Sequence, residues 1–498
     1  MPRRRVYSSD STLPECVSRN NMALNPFLPF LFVLGAAGLA APVGLQAAPT
    51  QVTVEVSKAL QSFDGLGCGA IFYEGHMTSL AARNKPEEQE KLYDAMFKEV
   101  RTDYLHLYIR HDHEPQNDNA DPWTPAFKSG DFKYCEHTLA ICKAALQRQP
   151  QMKFYATLYT PPAWMKTNDD VSGGGAQKGT LKKGLELELG EYLWAFLDHM
   201  KRNGVEMHYL SIANEPDWPH TQPSYFLDPD QHAALFAKVA DYLTEMAKRH
   251  PEVPRPKLVG PNGLSVIDGA EHYLPPLLRK AGNQLDIVGT HDYDRRGDRW
   301  KTLTKAAKGR PVWGTEWCVN GPDDSPGQIR SATEFWLAMS EAFNGGANVW
   351  MAYDWVYPPR QGGEALIHLK WGESWEPTRI YHGFRQFASK LEPGMTVVSS
   401  SVSGAGASGF SKPGVKACAF RSKEGKRVVL NVANVQDQPV ELVVNFRGAG
   451  DGPAGAWLTS GTDTLSPLPA QPAKSGPLKF TLPPRGMLTV ETGAAITR

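Results

Sequence analysis

Two glutamates occupy unusual positions. In "YLSIANEPDWPH", residues 209–220, an apolar run stops abruptly at Asn214, Glu215 and Pro216. Farther along, "VWGTEWC" ends another apolar run at Glu316. An acid at the tip of a buried strand sits at a rim rather than in a core. Two such acids facing each other suit the cleavage of a glycosidic bond. One protonates the leaving oxygen, and the other attacks the anomeric carbon or activates water. The acid needs a raised pKa and its partner a lowered one, so their surroundings must differ. Arg110 and Tyr293 are the candidates to keep Glu316 ionised, while Glu215 is expected to have fewer such partners. A single loop acid is usually a solvated side chain or a helix cap. The argument therefore rests on what the other strand ends carry.

The elements that position these residues follow from the apolar patterning. From residue 64 to 392, short apolar strands alternate with amphipathic segments. "GLGCGAIFY", "YLHLYIR", "KFYATLY", "MHYLSIAN", "KLVGPN", "LDIVGTHDY", "RPVWGTEW" and "ANVWMAYDW" are the eight predicted strands. Such alternation predicts a (β/α)8 TIM barrel, an α/β fold whose strand ends form the active face. An open doubly wound sheet is disfavoured, because "GLGCGA" leads into no helix start. At the active face the second strand brings Arg110, His111 and Asp112. The third brings Tyr159, with Trp164 just beyond. The sixth brings His291 and Tyr293, and the eighth Trp350, Asp354 and Trp355. From residue 393 to 498 the pattern becomes alternating strands with Gly, Pro and Asp turns, which predicts a smaller C-terminal β-sandwich. Residues 49–63, containing "QVTVEVSKALQSF", also alternate and are expected to pair with that β-domain.

The 498 residues carry 53 basic and 53 acidic side chains, so net charge gives no reason to expect nucleic acid or an anionic membrane as partner. Residues 1–48 contain a short apolar run broken by Pro and Gly, which reads as a signal peptide, with Ala47 and Ala48 near the cleavage point. A secreted or periplasmic protein is expected, with no membrane partner after cleavage. Of six cysteines, Cys16 would leave with the signal. Cys135 and Cys142 lie two helical turns apart, about 10 Å, which is too far for a disulfide. Buried free thiols are expected.

The motifs resemble those of glycoside hydrolase family 30, in the clan of (β/α)8 retaining glycosidases. "SIANEPD" is similar to that family's acid/base motif and "GTEWC" to its nucleophile strand. "TPPAWMKTN" is close to its Ser-Pro-Pro-x-Trp-Met-Lys loop. "HDY" fits its His-x-Tyr, and "GFRQFASKLEPGM" its passage into the β-domain. The resemblance implies a double displacement with Glu215 as general acid/base and Glu316 as nucleophile. It implies that Asn214 bonds the sugar 2-OH, and that His291 and Tyr293 line the reacting subsite. Trp355 would floor that subsite, with Trp350 as the fallback. Tyr159 stands where the family often has Trp, and Arg110 lies later than the family's strand-two Arg. "GCGAIFYEGH" is also unlike the family's usual stretch, which leaves Glu74 and His76 open as substrate contacts or loop residues.

"RHDHEP" gathers His111, Asp112, His113 and Glu114, but adjacent strand residues point to opposite faces and seldom meet on one ion. "SGGGAQKGT" lacks the spacing of a phosphate loop. The aromatic loop after the eighth strand carries Trp371 and Trp375, either outer sugar platforms or packing residues. The expected protein is a monomeric β-glycoside hydrolase acting on β-linked glucan, xylan or galactan-type chains, without metal or cofactor. The alternatives are a sugar-binding protein on an inactive scaffold, a transglycosylase, or another glycosidase of the clan.

Overall fold

The structure, a computed structural model, describes residues 49–117, 120–125, 132–294, 298–319, 328–359, 365–407, 414–448, 453–472 and 476–493. The expected signal segment lies outside them. No helix among the described residues is long and apolar enough to cross a membrane.

The first strand, β1 (Thr50–Phe63), leads into a closed barrel of eight strands. These are β2 (Gly65–Ala70), β3 (Tyr104–Ile109), β4 (Lys153–Leu158), β5 (Tyr209–Ser211), β6 (Lys257–Gly263), β7 (Ile287–His291), β8 (Val312–Glu316) and β9 (Val349–Ala352). All neighbours pair in parallel, and β2 closes on β9. Parallel pairing needs crossovers, and helices supply them, among them Cys135–Arg148, Glu186–Arg202, Pro229–Arg249 and Ile329–Asn344. The Pro229–Arg249 helix starts at a capping box, with Asp228 and Gln231 bonding each other's backbone N–H groups. The TIM barrel predicted from the alternating pattern is what the chain forms.

Inward side chains stack in layers up the barrel. The floor is aromatic and aliphatic: Tyr104, Tyr155, Tyr209 and Trp313 meet Val259, Ile287, Val349 and Met351. The Trp313 ring lies 4.6 Å from Tyr209 and 4.9 Å from Tyr104, edge-on to both. A polar layer follows. His106 Nε2 is 2.8 Å from Thr157 Oγ1, and Asn262 Oδ1 accepts from Tyr155 and Thr315 hydroxyls at 3.1 and 2.6 Å. These bonds offset much of the layer's desolvation, though the Nδ1 atom of His106 is buried without a partner. The candidate site is the next layer up.

After the barrel come the short strands β10 (Asp354–Tyr357), β11 (Ala365–Lys370) and β12 (Ser374–Pro377), then β13 (Met395–Ser403) to β20 (Met487–Thr492). Between those two lie β14 (Val415–Arg421), β15 (Val428–Asn434), β16 (Val440–Arg447), β17 (Pro453–Thr459), β18 (Ser466–Pro472) and β19 (Leu478–Leu482). The larger sheet runs β18-β17-β20-β15-β14-β13-β1-β16-β19, mostly antiparallel. It curls over on itself, since Ala456 of β17 and Phe480 of β19 share one buried cluster with Val54, Leu430 and Val490. β1 lies inside this sheet, antiparallel to β13 and parallel to β16. Gln386, on the last barrel helix, fastens the sheet to the barrel by donating to the carbonyls of Trp457 and Met487 at 2.9 and 3.0 Å. Among the described residues, Cys68, Cys135, Cys142, Cys318 and Cys418 are buried thiols outside any disulfide.

Candidate active site

Strand parity alone would not aim Glu316 into the barrel. Trp313 and Thr315 point inward, so the next residue of an unbroken strand would face the helices. But Thr290 pairs with Gly314 and His291 with Glu316, leaving Thr315 as an extra residue on β8. This bulge turns Glu316 inward. Glu215 reaches the same layer by a different device. It lies four residues past Ser211, the last paired residue of β5, and takes a left-handed conformation, with φ 46°. Such a backbone costs about 1–3 kcal/mol for a non-glycine residue and must be held by its surroundings. Here the Glu215 N–H donates to Asn262 O, and the Glu215 carbonyl accepts from Trp218 N–H, both at 2.9 Å.

The two carboxylates are buried, 4% and 5% exposed. Tyr159 OH donates to Glu316 Oε2 at 2.7 Å, and Tyr293 OH donates to Glu316 Oε1 at 3.1 Å. His291 Nδ1 lies 2.7 Å from Glu215 Oε1 and 3.6 Å from Glu316 Oε1, bridging the pair. His220 Nε2 meets the other Glu215 oxygen, Oε2, in a short hydrogen bond. Burial alone would raise the pKa of Glu215, but the His220 and His291 hydrogen bonds outweigh it and hold the group at about 2. Burial raises Glu316. The His291 charge and the two phenols pull it back, the Glu215 charge adds to the rise, and the net direction is upward. His291 is raised despite burial, because Glu316 and Glu215 both stabilise its charged form.

This inverts the expected division. Glu215 has two imidazole partners rather than few, and Glu316 has phenols rather than an arginine. Arg110 is bound bidentately by Asp112, with Nη2 to Oδ2 at 2.7 Å, and its guanidinium covers the Tyr134 ring at 4.7 Å. Its hydrogen bonds go to Asp112 and not to Glu316, because it lies past the end of β3, where its nearest acid is its own neighbour in the loop. At its parity two layers down, below Tyr108, stands His106, kept neutral by burial.

Trp355 does not floor the site. The inward parity of Val349 and Met351 continues to Tyr353. There the chain bends, and Trp355, fully buried, packs edge-on against Phe97 in the helical layer at 6.0 Å. Trp350 also points outward, among Trp317, Phe335 and Phe384. The strand-eight aromatic of the site is Tyr353, whose phenol is pushed up by burial and by the charges of Asp354 and Glu316 beside it. Asn214 is buried next to Glu215 with Oδ1 unbonded. Trp164, on the loop after β4, donates its indole N–H to Glu114 O at 2.9 Å.

Of the residues expected from sequence, His291 hydrogen-bonds Glu215, Tyr159 and Tyr293 hydrogen-bond Glu316, and His291 Nδ1 stands 3.6 Å from Glu316. Arg110 and Trp355 make none of these bonds. His220 and Tyr353 were missed. His220 stands five residues after Glu215 in "NEPDWPH", a visible signal; Tyr353 needed the bend after β9, which has none. The "RHDHEP" groups diverge as their spacing suggests. His113 is sandwiched by Tyr192 and Phe132, and His111 Nδ1 bonds Tyr108 OH. Among the described residues, Glu215, His291 and Glu316 form the group with metal-ligand reach, one donor atom from each lying within 4.8 Å of the others. A cation there would compete with the proton that His291 shares.

Residues 116–226, which hold the Tyr159 wall and Glu215, match the family model of the glycosyl hydrolase family 30 TIM-barrel domain. The resemblance to family 30 holds. A Caenorhabditis elegans protein named "Putative glucosylceramidase 1" is 22% identical over 186 residues, 33% of this chain and 32% of the relative. The match thus spans about a third of that relative's length. In fold the chain is similar to a family 30 subfamily 8 xylanase from Clostridium acetobutylicum, with TM-score 0.64 and 20% identity over 89% of this chain and all (100%) of that one. It is also similar to the catalytic domain of family 30 xylanase C from Talaromyces cellulolyticus, with TM-score 0.71 and 17% identity over 89% and 100%. The barrel with its side β-domain is shared with both family 30 structures.

Proposed function

We propose that the chain is an exported, monomeric, retaining hydrolase of β-linked carbohydrate, with Glu316 as nucleophile and Glu215 as general acid/base. The observation that carries this reading is the spacing of the pair. Carboxylate oxygens of Glu215 and Glu316 lie within 4.8 Å of each other. Retaining enzymes hold their carboxyl groups roughly 5–5.5 Å apart, whereas inverting ones need roughly 6.5–9.5 Å to admit a water. Glu316 attacks the anomeric carbon while Glu215 protonates the departing oxygen. Water, deprotonated by Glu215, then releases the sugar. Asn214, with its free Oδ1, supports the role of accepting a sugar hydroxyl, and Tyr293, Tyr159, Trp164 and Tyr353 supply the walls. His291 lets the pair exchange a proton without leaving the site: the ionised Glu215 with charged His291 and the protonated Glu215 with neutral His291 differ by one short transfer.

The named relatives point to xylan or glucosyl substrates. Hydrolysis of a panel of β-linked glucan, xylan and galactan chains, with the product anomer read by NMR, tests the reading. Retention of configuration, lost together with activity in Glu316→Gln, supports it. Inverted products overturn the mechanism. Binding without turnover returns the protein to the sugar-binding alternative.

A further inference from the structure

Glu215 is gripped from two sides. His291 holds Oε1 from inside the barrel. His220 holds Oε2 from the loop that follows β5. That loop is itself fastened. The His220 N–H donates to Trp218 O at 3.1 Å. Ser224 N–H donates to Val171 O at 3.1 Å, and Gly173 N–H to Gln222 O at 3.2 Å, which seats the loop on the segment after β4. Lys166, buried, donates its ammonium to Val171 O at 3.0 Å and to Ser224 O at 2.6 Å, tying both segments from below. The fit is close: a methyl group at Gly173 would lie 2.6 Å from His220 O and 2.7 Å from His220 N. A carboxyl in a left-handed turn has few rotamers to hold it in line, and this scaffold delivers an imidazole to it.

We propose that His220 is a positioning residue for Glu215, holding Oε2 so that the carboxyl faces the glycosidic oxygen. This rests on the hydrolase reading above. As the sugar C–O bond breaks, the Glu215 proton passes to the leaving oxygen and a Glu316 oxygen bonds to the anomeric carbon. The carboxylate left on Glu215 accepts from His220 N–H and is stabilised by it. In the second step water gives its proton to Glu215 and its oxygen to the sugar, and the bond to Glu316 breaks. His220 neither gains nor loses a proton over the cycle. The other groups facing Glu215 are His291 and Glu316, Asp217, whose carboxylate is taken by Leu264 and Ser265 N–H, and the phenols of Tyr159 and Tyr293.

The test compares a dinitrophenyl β-glycoside, whose leaving group needs no proton, with the phenyl β-glycoside of the same sugar. In His220→Ala the phenyl substrate should lose kcat/KM by about 10- to 100-fold and the dinitrophenyl substrate by less than about threefold. His220→Gln, whose amide N–H can still reach Oε2, should recover most of the loss. It should also shift the alkaline limb of kcat/KM to higher pH, since an amide stabilises the carboxylate less than an imidazole. Gly173→Ala should reproduce the leaving-group split, because it displaces the backbone of His220. Thermal melting accompanies each variant, and if His220→Ala does not fold, His220→Gln decides by its pH limb. Equal losses on both substrates, or an unmoved limb in His220→Gln, overturn the assignment alone. A wild type that cleaves neither glycoside overturns the hydrolase reading and this assignment with it.

Discussion

Tyr159 donates its hydroxyl to Glu316 Oε2 at 2.7 Å, from the third barrel strand to the seventh, so the nucleophile is oriented from across the barrel mouth. A hydrogen bond to a charged group contributes about 1.5–3 kcal/mol. Tyr159→Phe is therefore expected to cut kcat/KM by roughly 10- to 150-fold. The sign on pH follows from the donor. Losing it raises the Glu316 pKa, so the acidic limb of kcat/KM should move to higher pH. A variant with an unchanged limb would show that the phenol does not act on the carboxylate.

His291 binds its proton more tightly than an ordinary histidine, since two carboxylates surround it. Activity that depends on the proton shared by His291 and Glu215 should thus persist above about pH 6.5 and fall only at higher pH. In His291→Phe the alkaline limb should lose this component. A wild-type rate already falling below pH 6 on its alkaline side would contradict the bridge.

Glu74 is buried and its carboxyl is pushed up to about 7 by burial. An acid whose folded pKa exceeds its unfolded value adds nothing below the unfolded value, and costs stability as pH rises through the folded one. Glu74→Gln should leave stability near pH 4 unchanged and raise it at pH 8, by roughly 3 kcal/mol at most. Urea melts at the two pH values give the difference, and equal shifts at both would refute a buried, protonatable Glu74.

Trp355 and Tyr353 separate structure from recognition. Trp355→Ala opens a cavity against Phe97 and should destabilise by about 3–5 kcal/mol. At a temperature where it stays folded, its KM should match the wild type. Tyr353→Ala should do the reverse, raising KM with a smaller stability loss. Melting curves beside Michaelis plots distinguish the two.

What the sequence reveals follows local physics. The eight strands and the β-domain were legible because apolar period and turn residues are local signals. Glu215, Glu316, His291, Tyr159 and Tyr293 were legible because they close strands. Arg110 and Trp355 failed for one shared reason. Each follows a local change of course that the linear pattern does not show: Arg110 is drawn aside by Asp112 in the loop after β3, and Trp355 comes after the bend at Tyr353. The pKa assignments failed because imidazoles reach Glu215 from two separate elements, β7 and a loop; His220 stands near it in sequence, but nothing in the linear pattern shows that His291 meets the same carboxyl. The bulge on β8 was not read either, although Gly314 stands just before its extra residue, Thr315.

The place of β1 in its sheet has a bearing on how the molecule is made. This strand leaves the ribosome before the barrel, yet both of its neighbours, β13 and β16, come after the whole barrel. At ordinary translation speeds the nascent strand waits roughly 20 to 80 s for its partners. Until β13 and then β16 are made, its valines and its two edges stay uncovered. Chaperone demand should therefore fall on this short segment, and the last-made strands set the moment when the molecule becomes safe from aggregation.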